Sequence, residues 1–385
     1  MWIGACTSSV GTWMQKLAQS WLVFQLSGSA FMLGLDSFLG EIPIFLFSLV
    51  GGVAADRIDR RRLLIISQLI QMTCAFVLAT LFAFQVVQVW HILALSFVVG
   101  TAQSFGGPAY QALIPTLVPR EHLPNAIAMN SIQFNLARII GPVLGGLALA
   151  KLGATWCFAF NGISYVAVII TLILIHTRHV PAQTKETIWT SMKQGIAFIR
   201  KQTAMESLIL VAFMMTMLGI PMIVFLPVFA KEVFHGNEGL YTALLVIEAA
   251  GAILGAIYVA GKSKRANLGK QAVITITGLG LFMAAFALTP VLPLSMLFLF
   301  IAGSMLIASF AFISSLVQLV ATDEMRGRVM SVYNVAFRGG MPIGALMTGY
   351  FIKDLGAPVM IGLNGALLVI MGVYLLVLHR KVAAL

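Results

Sequence analysis

The sequence predicts an all-α membrane protein with twelve transmembrane helices in two pseudo-symmetric six-helix halves. Hydrophobic residues make up 60% of the 385 residues and charged residues only 10%, whereas soluble domains have about 45–50% and about 25%. Apolar runs long enough to cross a bilayer recur along the chain, and features of the first half recur in the second. Since water does not tolerate so apolar a surface, the surrounding solvent is predicted to be lipid.

The remaining composition excludes several other classes of protein. Cys6, Cys74 and Cys157 lie far apart, and the absence of a CxxC or Cys/His cluster excludes a disulfide scaffold and a zinc site. We therefore expect neither a metal nor a cofactor. The net charge of +11 does not indicate a nucleic-acid partner, because the basic residues lie between apolar runs. Basic loops that face an anionic lipid leaflet explain the same charge.

Twelve apolar runs reach the length of roughly 20 residues that crosses ~30 Å of hydrocarbon. Each run is predicted to be helical, because lipid leaves every backbone polar group to be satisfied within its own segment. The first run lacks a basic leader and a small-residue cleavage site, so we expect a retained span rather than a signal peptide. The runs cover residues 3–25, 32–55, 63–84, 90–115, 124–149, 155–177, 206–230, 240–261, 270–289, 293–320, 327–352 and 357–378.

Lysine and arginine are distributed unevenly between the loops. Most of the 24 basic residues lie in alternate loops, beginning with the loop after the second run. The opposite set of loops holds Lys151, Lys231 and Lys353. Cytoplasmic loops are enriched in lysine and arginine, so both termini are predicted to be cytoplasmic.

An internal repeat divides the chain into two halves. Residues of the fifth and sixth runs recur in the eleventh and twelfth runs, about 200 positions later. Parallel repeats of six helices are typical of proteins whose halves rock around a site near the membrane midplane. The recurring pairs include Ser131 and Ser331, Arg138 and Arg338, Pro142 and Pro342, and Asn161 and Asn364.

The longest loop lies between the two halves. Its apolar residues recur at helical spacing among basic ones, which predicts an amphipathic helix on the inner membrane surface. These apolar residues are Ile188, Met192, Ile196 and Ile199. The predicted units are a first bundle at 1–178, a cytoplasmic linker at 179–205 and a second bundle at 206–385.

A cluster of small, acidic and basic residues follows the second run. It reads Gly52-Val-Ala-Ala-Asp56-Arg57-Ile-Asp59-Arg60-Arg61-Arg62. A helix end of small residues permits close approach of another helix, and a carboxylate such as Asp56 is favoured near a helix N-terminus. The arginines can pair with acidic groups or lipid phosphates. An ordinary positive-inside loop is the alternative interpretation.

Ionisable residues inside the predicted spans are candidates for proton coupling or a substrate cavity, since each is costly in lipid unless paired or hydrated. Lys16 and Glu41 each lie about ten residues from the outer ends of their spans, or ~15 Å deep. We expect them to form a buried ion pair that opens on protonation, with a static structural pair as the alternative. Asp36 lies closer to the outer surface. Arg138 and Arg338 occupy matching positions in the two halves.

Glu248 is the counterpart of Glu41 in the second half, at an offset of 207 positions. Its span is otherwise apolar, and burial disfavours the charged form of a carboxyl group. Glu248 is therefore predicted to carry protons near neutral pH. Pairing with Arg338, or hydration in a vestibule, is the alternative.

Several of these stretches together resemble the major facilitator superfamily. The cluster after the second run is similar to its loop signature Gly-x-x-x-Asp-Arg-x-Gly-Arg-Arg, with Asp59 in place of the usual glycine. The fifth span contains Gly141-Pro142-Val-Leu-Gly145-Gly146, which is similar to the Gly-Pro-x-x-Gly-Gly element of the family's antiporters and exporters. Three other stretches look like its enterobactin-exporter and macrolide-efflux branch, namely Gly11-Thr-Trp13-Met-Gln-Lys16, Pro119-Arg-Glu-His-Leu-Pro124-Asn125-Ala126 and Asp323-Glu-Met-Arg326-Gly327-Arg328-Val329.

This resemblance implies a secondary active transporter of the bacterial inner membrane. It would act as a monomer and export a small apolar or amphipathic compound, such as a drug or a siderophore-like molecule, by proton antiport with alternating access. The alternatives are a lipid or lysolipid translocator of the same fold and a membrane-embedded enzyme. No nucleophile–base or metal-ligand pattern supports the enzyme.

The resemblance also assigns roles and shows one departure. It implies that the aspartate at position 56 contacts the opposite half in the outward-open state, so the cluster is a predicted conformational gate whose residues are Gly52, Asp56, Arg57, Asp59, Arg60 and Arg61. The branch often has Phe-Asp-x-Pro-x-Arg-Gln in the fourth span, where this chain has Phe105-Gly106-Gly107-Pro108-Ala109-Tyr110-Gln111. Because both the acid and the base are missing, any proton coupling must use other residues.

Overall fold

Helices account for nearly all of the structure, a computed structural model that describes residues 1–175, 188–261 and 267–377. The helices of the first part of the chain are α1 (Trp2–Ser27), α2 (Ala30–Arg57), α3 (Arg60–Ala83), α4 (Val89–Leu113), α5 (Leu123–Lys151) and α6 (Ala154–Leu174). Those of the second part are α7 (Ile188–Arg200), α8 (Thr203–Gly219), α9 (Pro221–Val224), α10 (Leu226–Val228), α11 (Glu238–Gly261), α12 (Leu268–Leu288), α13 (Leu292–Val320), α14 (Arg326–Leu355) and α15 (Ala357–Val377).

The prediction of a multi-pass helical membrane protein is confirmed. Among the described residues, ten helical segments are long and apolar enough to cross a membrane. Helices α1 and α14 are equally long but are not among the ten, since they carry more polar side chains, such as Gln15 and Gln19 in α1 and Arg338 in α14. The count of twelve spans stays a prediction.

The first compact unit comprises Met1–Lys185 and Asn237–Val246. Within it, α1 packs against α5 and α6, α3 packs against α4 and α6, and α2 packs against α4. Gly28 ends α1 in the left-handed conformation, with φ +60°, and its N–H donates to the Phe24 carbonyl. Glycine adopts this conformation without a Cβ penalty, so the chain reverses within two residues and enters α2.

The second compact unit comprises Glu186–Gly236 and Ile247–Leu385. Helix α12 packs against α13 and α15, and α14 packs against α7 and α8. Close packing of α14 on α8 depends on Gly344, because a Cβ there would overlap the Met217 carbonyl. In the first unit α5 approaches α1 in the same way through Gly141, where a Cβ would overlap Trp13 and the Val10 carbonyl. Small residues at the contact allow such close helix approach in membranes.

The seventh apolar run, predicted as one helix over 206–230, is interrupted. Helix α8 ends at Gly219, the short α9 and α10 follow, and residues Phe229–Val233 form a π-helix. Proline cannot donate a backbone hydrogen bond to the residue four positions earlier and clashes with its carbonyl. Pro221 is the first residue of α9 and Pro227 is the second residue of α10, which explains the interruption.

The amphipathic helix predicted in the linker is present as α7. Its buried residues Gly195 and Ile199 lie on one face, whereas Ile196, predicted on the same face, is 36% exposed. A Cβ at Gly195 would lie 2.8 Å from the Arg328 carbonyl oxygen, so α7 packs directly on α14. The start of the predicted linker lies outside the described residues, and the predicted unit boundaries stay a prediction.

Candidate functional site

The arginines of the predicted gate bind the ends of neighbouring helices. Arg60 donates from Nη1 to the Ala112 carbonyl of α4 at 3.0 Å and from Nε to the Ala55 carbonyl of α2 at 3.1 Å. Its Nη2 lies 3.5 Å from Oδ1 of Asp56. Cations are favoured where helices end, because the last carbonyls have no partner within the helix. Arg60 therefore joins α2 and α4 and holds Asp56 beside them.

Arg61 and Asp59 of the predicted gate also bind the ends of helices. Arg61 donates from Nη2 to the Ile173 carbonyl at the end of α6, at 2.7 Å. Asp59 precedes α3 as its N-cap and accepts from the Arg61 backbone N–H at 2.9 Å. This capping bond gives a physical reason for an aspartate where the resembled signature has glycine. Of the other predicted gate residues, Gly52 is half-buried and Arg57 is exposed.

The predicted exporter element forms a glycine-lined face of α5. Gly141 and Gly145 lie against α1, and a Cβ at Gly145 would lie 2.9 Å from Cγ of Met14. Gly146 lies against the side chain of Thr242, in the part of α11 that belongs to the first unit. Pro142 is buried within the helix. The element thus positions α5 against α1 and the start of α11.

The structure brings two of the predicted ionisable residues, Lys16 and Arg138, to one aromatic ring. Nζ of Lys16 lies 5.4 Å from the centroid of Trp13, and Cζ of Arg138 lies 6.0 Å from it. Such distances allow cation–π attraction. Lys16 is exposed and Arg138 is half-buried. The predicted pairing of Lys16 with Glu41, which is half-buried, stays a prediction.

Asp36 is the centre of a buried polar cluster. Its side chain lies on α2, and the residue is 7% exposed. Gln19 of α1 donates from Nε2 to both carboxylate oxygens at 3.0 Å, and the Ser96 hydroxyl of α4 donates to Oδ1 at 2.5 Å. The carboxylate thus accepts hydrogen bonds from two neighbouring helices.

The cluster continues from α1 to α6. Gln15 donates from Nε2 to Oε1 of Gln19 at 3.5 Å, and Asn161 donates from Nδ2 to Oε1 of Gln15 at 2.6 Å. Ser164 in turn donates to Oδ1 of Asn161 at 3.2 Å. These side chains thus form a hydrogen-bonded path that reaches Asp36. Sequence analysis missed Gln15, Gln19 and Ser96 as site residues, although two glutamines one helical turn apart in an apolar run were a usable signal.

Glu248 is a buried acid of the second unit. It is 1% exposed, and a Cβ at Gly303 of α13 would overlap the Glu248 carbonyl oxygen and lie 3.3 Å from its Cγ. In the first unit, Gly100 of α4 lies equally close to the carbonyl of Gly40, next to Glu41. This packing matches Glu248 to Gly40 rather than to Glu41, so the predicted correspondence of the two glutamates stays a prediction. Arg338 is exposed on α14.

These features define a class of protein. Long apolar helices, a basic loop that caps neighbouring helices and buried ionisable groups are the features of a membrane protein that moves ions or solutes. The likeness to solved structures shows the fold, because a mutant of the nucleoside transporter NupG superposes with a TM-score of 0.80 at 15% identity, over 97% of this chain and 98% of that one.

The family follows from the whole chain. Residues 1–384 match the model of the transmembrane secretion effector family, a branch of the major facilitator superfamily, and the chain belongs to that family. It is 22% identical to macrolide efflux protein A of Streptococcus pyogenes, over 96% of this chain and 92% of the relative. Identity is 26% to the multidrug efflux pump Tap of Mycolicibacterium fortuitum, over 90% and 86%, and 24% to the enterobactin exporter EntS of Salmonella typhimurium, over 91% and 84%. The predicted family is confirmed, and the chain is an efflux transporter rather than an enzyme.

Proposed function

We propose that the chain exports a small apolar or amphipathic compound across the bacterial inner membrane in exchange for protons. One observation carries the proposal: each unit buries a carboxyl group in an apolar helix, Asp36 at 7% exposure and Glu248 at 1%. An acid within the membrane costs several kcal/mol, on the order of 3, so such residues mark ion or proton pathways. Protons that enter along their gradient would bind these acids and drive substrate outward.

The class of substrate rests on the relatives. They include proteins that are named for the efflux of macrolides, the efflux of multiple drugs and the export of enterobactin. We propose a compound of similar size that partitions into the membrane, and transport by a monomer whose two six-helix halves alternate in access. Both termini would be cytoplasmic.

The gate loop would control this alternation. Asp56 is held beside Arg60, and its side chain is 45% exposed. An exposed carboxylate at this position is available to a helix N-terminus of the opposite half when the transporter opens outward. The loop is therefore proposed as a conformational latch rather than a substrate-binding site.

Transport in inside-out proteoliposomes tests the proposal. We expect a macrolide or a siderophore to accumulate inside when a proton gradient, acidic inside, is imposed, and to stop accumulating when a protonophore collapses that gradient. Substitution of Glu121, whose side chain is 77% exposed, by glutamine is a control that should leave transport unchanged. Accumulation that persists without the gradient would exclude proton antiport. Movement of lysolipid alone would favour the lipid translocator.

A further inference from the structure

Asp36 lies where α2 meets two other helices of the first unit. Helix α2 packs against α1 and α4, which supply the donors Gln19 and Ser96. Asp36 is six residues from the first residue of α2, or ~9 Å along the helix. By the predicted orientation this end of α2 faces outward, so the carboxyl group is close to the side from which protons enter.

The Ser96 hydroxyl has two acceptors within reach. Its oxygen lies 2.5 Å from Oδ1 of Asp36 and 2.9 Å from the Ile92 carbonyl of its own helix. A hydroxyl has one hydrogen and two lone pairs, so it donates to one of these acceptors at a time. With Asp36 ionised, the hydrogen points to the carboxylate. With Asp36 protonated, the carboxyl O–H donates to the serine oxygen, and the serine hydrogen turns to Ile92. Both states leave the buried groups hydrogen-bonded.

The amides on α1 and α6 favour the ionised state. Asn161 donates to Gln15, Gln15 donates to Gln19, and Gln19 donates to Asp36. All the N–H groups in this path point toward the carboxylate, so their dipoles present positive ends to its charge and polarise one another. When Asp36 binds a proton, the negative charge that these dipoles face is lost. Gln19, whose Nε2 also donates to the Ser96 oxygen at 2.9 Å, is then bound less strongly, and the contact of α1 with α2 weakens.

We propose that Asp36, Ser96 and Gln19 form a proton-binding switch in which the Ser96 hydroxyl changes acceptor when Asp36 is protonated. Gln15 and Asn161 then transmit the protonation state from α2 to α6. One statement of this proposal rests on the proposed antiport, namely that the proton bound by Asp36 is the one exchanged for substrate. Ser96 and Gln19 are positioning residues, and Asp36 binds the proton.

Few other titratable groups are near this site in the described part of the unit. Lys16 lies on α1, three residues before Gln19, and Glu41 lies five residues after Asp36 on α2. His91 lies at the start of α4, five residues before Ser96, and its Nδ1 accepts from the Gln88 backbone N–H. From α3, the arginines Arg60, Arg61 and Arg62 lie at the opposite end of α2.

Infrared difference spectroscopy of the purified protein tests the switch without substrate or gradient. Protonated carboxyl groups give a C=O band that histidine does not. We expect Asp36→Asn to remove one titrating component of this band. Ser96→Ala removes a hydrogen bond that is stronger to the ionised acid than to the neutral one, so the midpoint of that component should move upward by about one pH unit. Ser96→Thr, which keeps the hydroxyl, should restore the midpoint.

Ser104→Ala is the matched control. Ser104 is a buried serine of the same helix, and its hydroxyl donates to the Thr101 carbonyl at 2.7 Å; its removal should leave the midpoint in place. Equal midpoints for Ser96→Ala and Ser104→Ala would overturn the switch, as would an unchanged band in Asp36→Asn. Ser96→Ala keeps the carboxyl group and carries the test if Asp36→Asn does not fold. A normal titration in a protein whose transport ignores the proton gradient would refute the proposed antiport and leave the switch intact.

Discussion

Single buried acids carry most of the proposed chemistry, and Glu248 is the one among the described residues of the second unit. Its backbone and Cγ lie at the point where α11 approaches Gly303 of α13. A change in the charge of the Glu248 side chain therefore acts on a close-packed contact between α11 and α13. The residue is therefore well placed to couple protonation to helix movement.

Glu248→Gln keeps the size of the side chain and removes its proton exchange. We expect proton-driven export to fall by at least about tenfold, because the proton can no longer bind, while substrate affinity stays within about twofold. Export under an imposed gradient and equilibrium binding in detergent measure the two effects. Glu206→Gln in α8 is the control, since Glu206 is an exposed acid of the same unit. Full export by Glu248→Gln would leave Glu248 a structural or substrate-contacting group.

Two neighbouring arginines at the start of α3, Arg61 and Arg62, differ in what they contact. Arg61 reaches the last turn of α6, whereas Arg62 is 81% exposed and lies 4.0 Å from Asp59. A cation that bonds an orphan carbonyl at a helix end stabilises the fold, while an exposed ion pair contributes little.

The two neighbouring arginines therefore form a matched pair of variants. Arg61→Ala should lower the free energy of unfolding by about 1 kcal/mol, since the Ile173 carbonyl loses its charged donor. Arg62→Ala should change it by less than about 0.5 kcal/mol. Thermal denaturation in detergent compares them. If Arg61→Ala and Arg62→Ala lowered the free energy of unfolding equally, Arg61 would contribute only through its positive charge and not through its hydrogen bond to the end of α6.

The number of membrane spans depends on whether α1 and α14 cross the bilayer. Both helices are long enough, but their polar residues leave them outside the ten segments that are apolar enough to cross a membrane. In α1 the polar groups face protein, since Gln15 and Gln19 bond to other side chains. In α14 the face that carries Gly340 and Gly344 is covered by α8, whereas Arg338 is exposed. A helix covered on that face by its neighbours can cross a bilayer although its mean composition is less apolar.

Cysteine labelling across α14 tests the twelve-span topology. Glu324 is an exposed residue just before this helix, and Asp354 is an exposed residue in its last turn. If α14 crosses the membrane, Glu324→Cys should react with an impermeant reagent only from the cytoplasm and Asp354→Cys only from outside. The native cysteines are replaced first. Reaction of both sites from the same side would show that α14 does not cross.

The helices and the glycine motif of α5 could be predicted, because both depend on residues that are close together in the sequence. Each predicted apolar run within the described residues contains helix, since lipid allows no alternative for the backbone. The Gly141 to Gly146 element was found as a motif, although its contacts with Trp13 and Thr242 were not. The interruption of the seventh run was missed, even though Pro221 and Pro227 were visible, because hydropathy counts proline without regard to its missing N–H.

The sequence by itself determined that the chain crosses membranes as helices, that it belongs to an exporter family and that few ionisable groups enter its spans. Only the tertiary structure decided which of those groups meet. Asp36 and Ser96 are 60 positions apart, and Gln15 and Asn161 are 146 apart, so neither contact has a local signature. Helical periodicity tells which residues share a face, but a polar face can meet water, lipid headgroups or another helix. Packing makes that choice, since a buried polar group must find a partner wherever the chain supplies one.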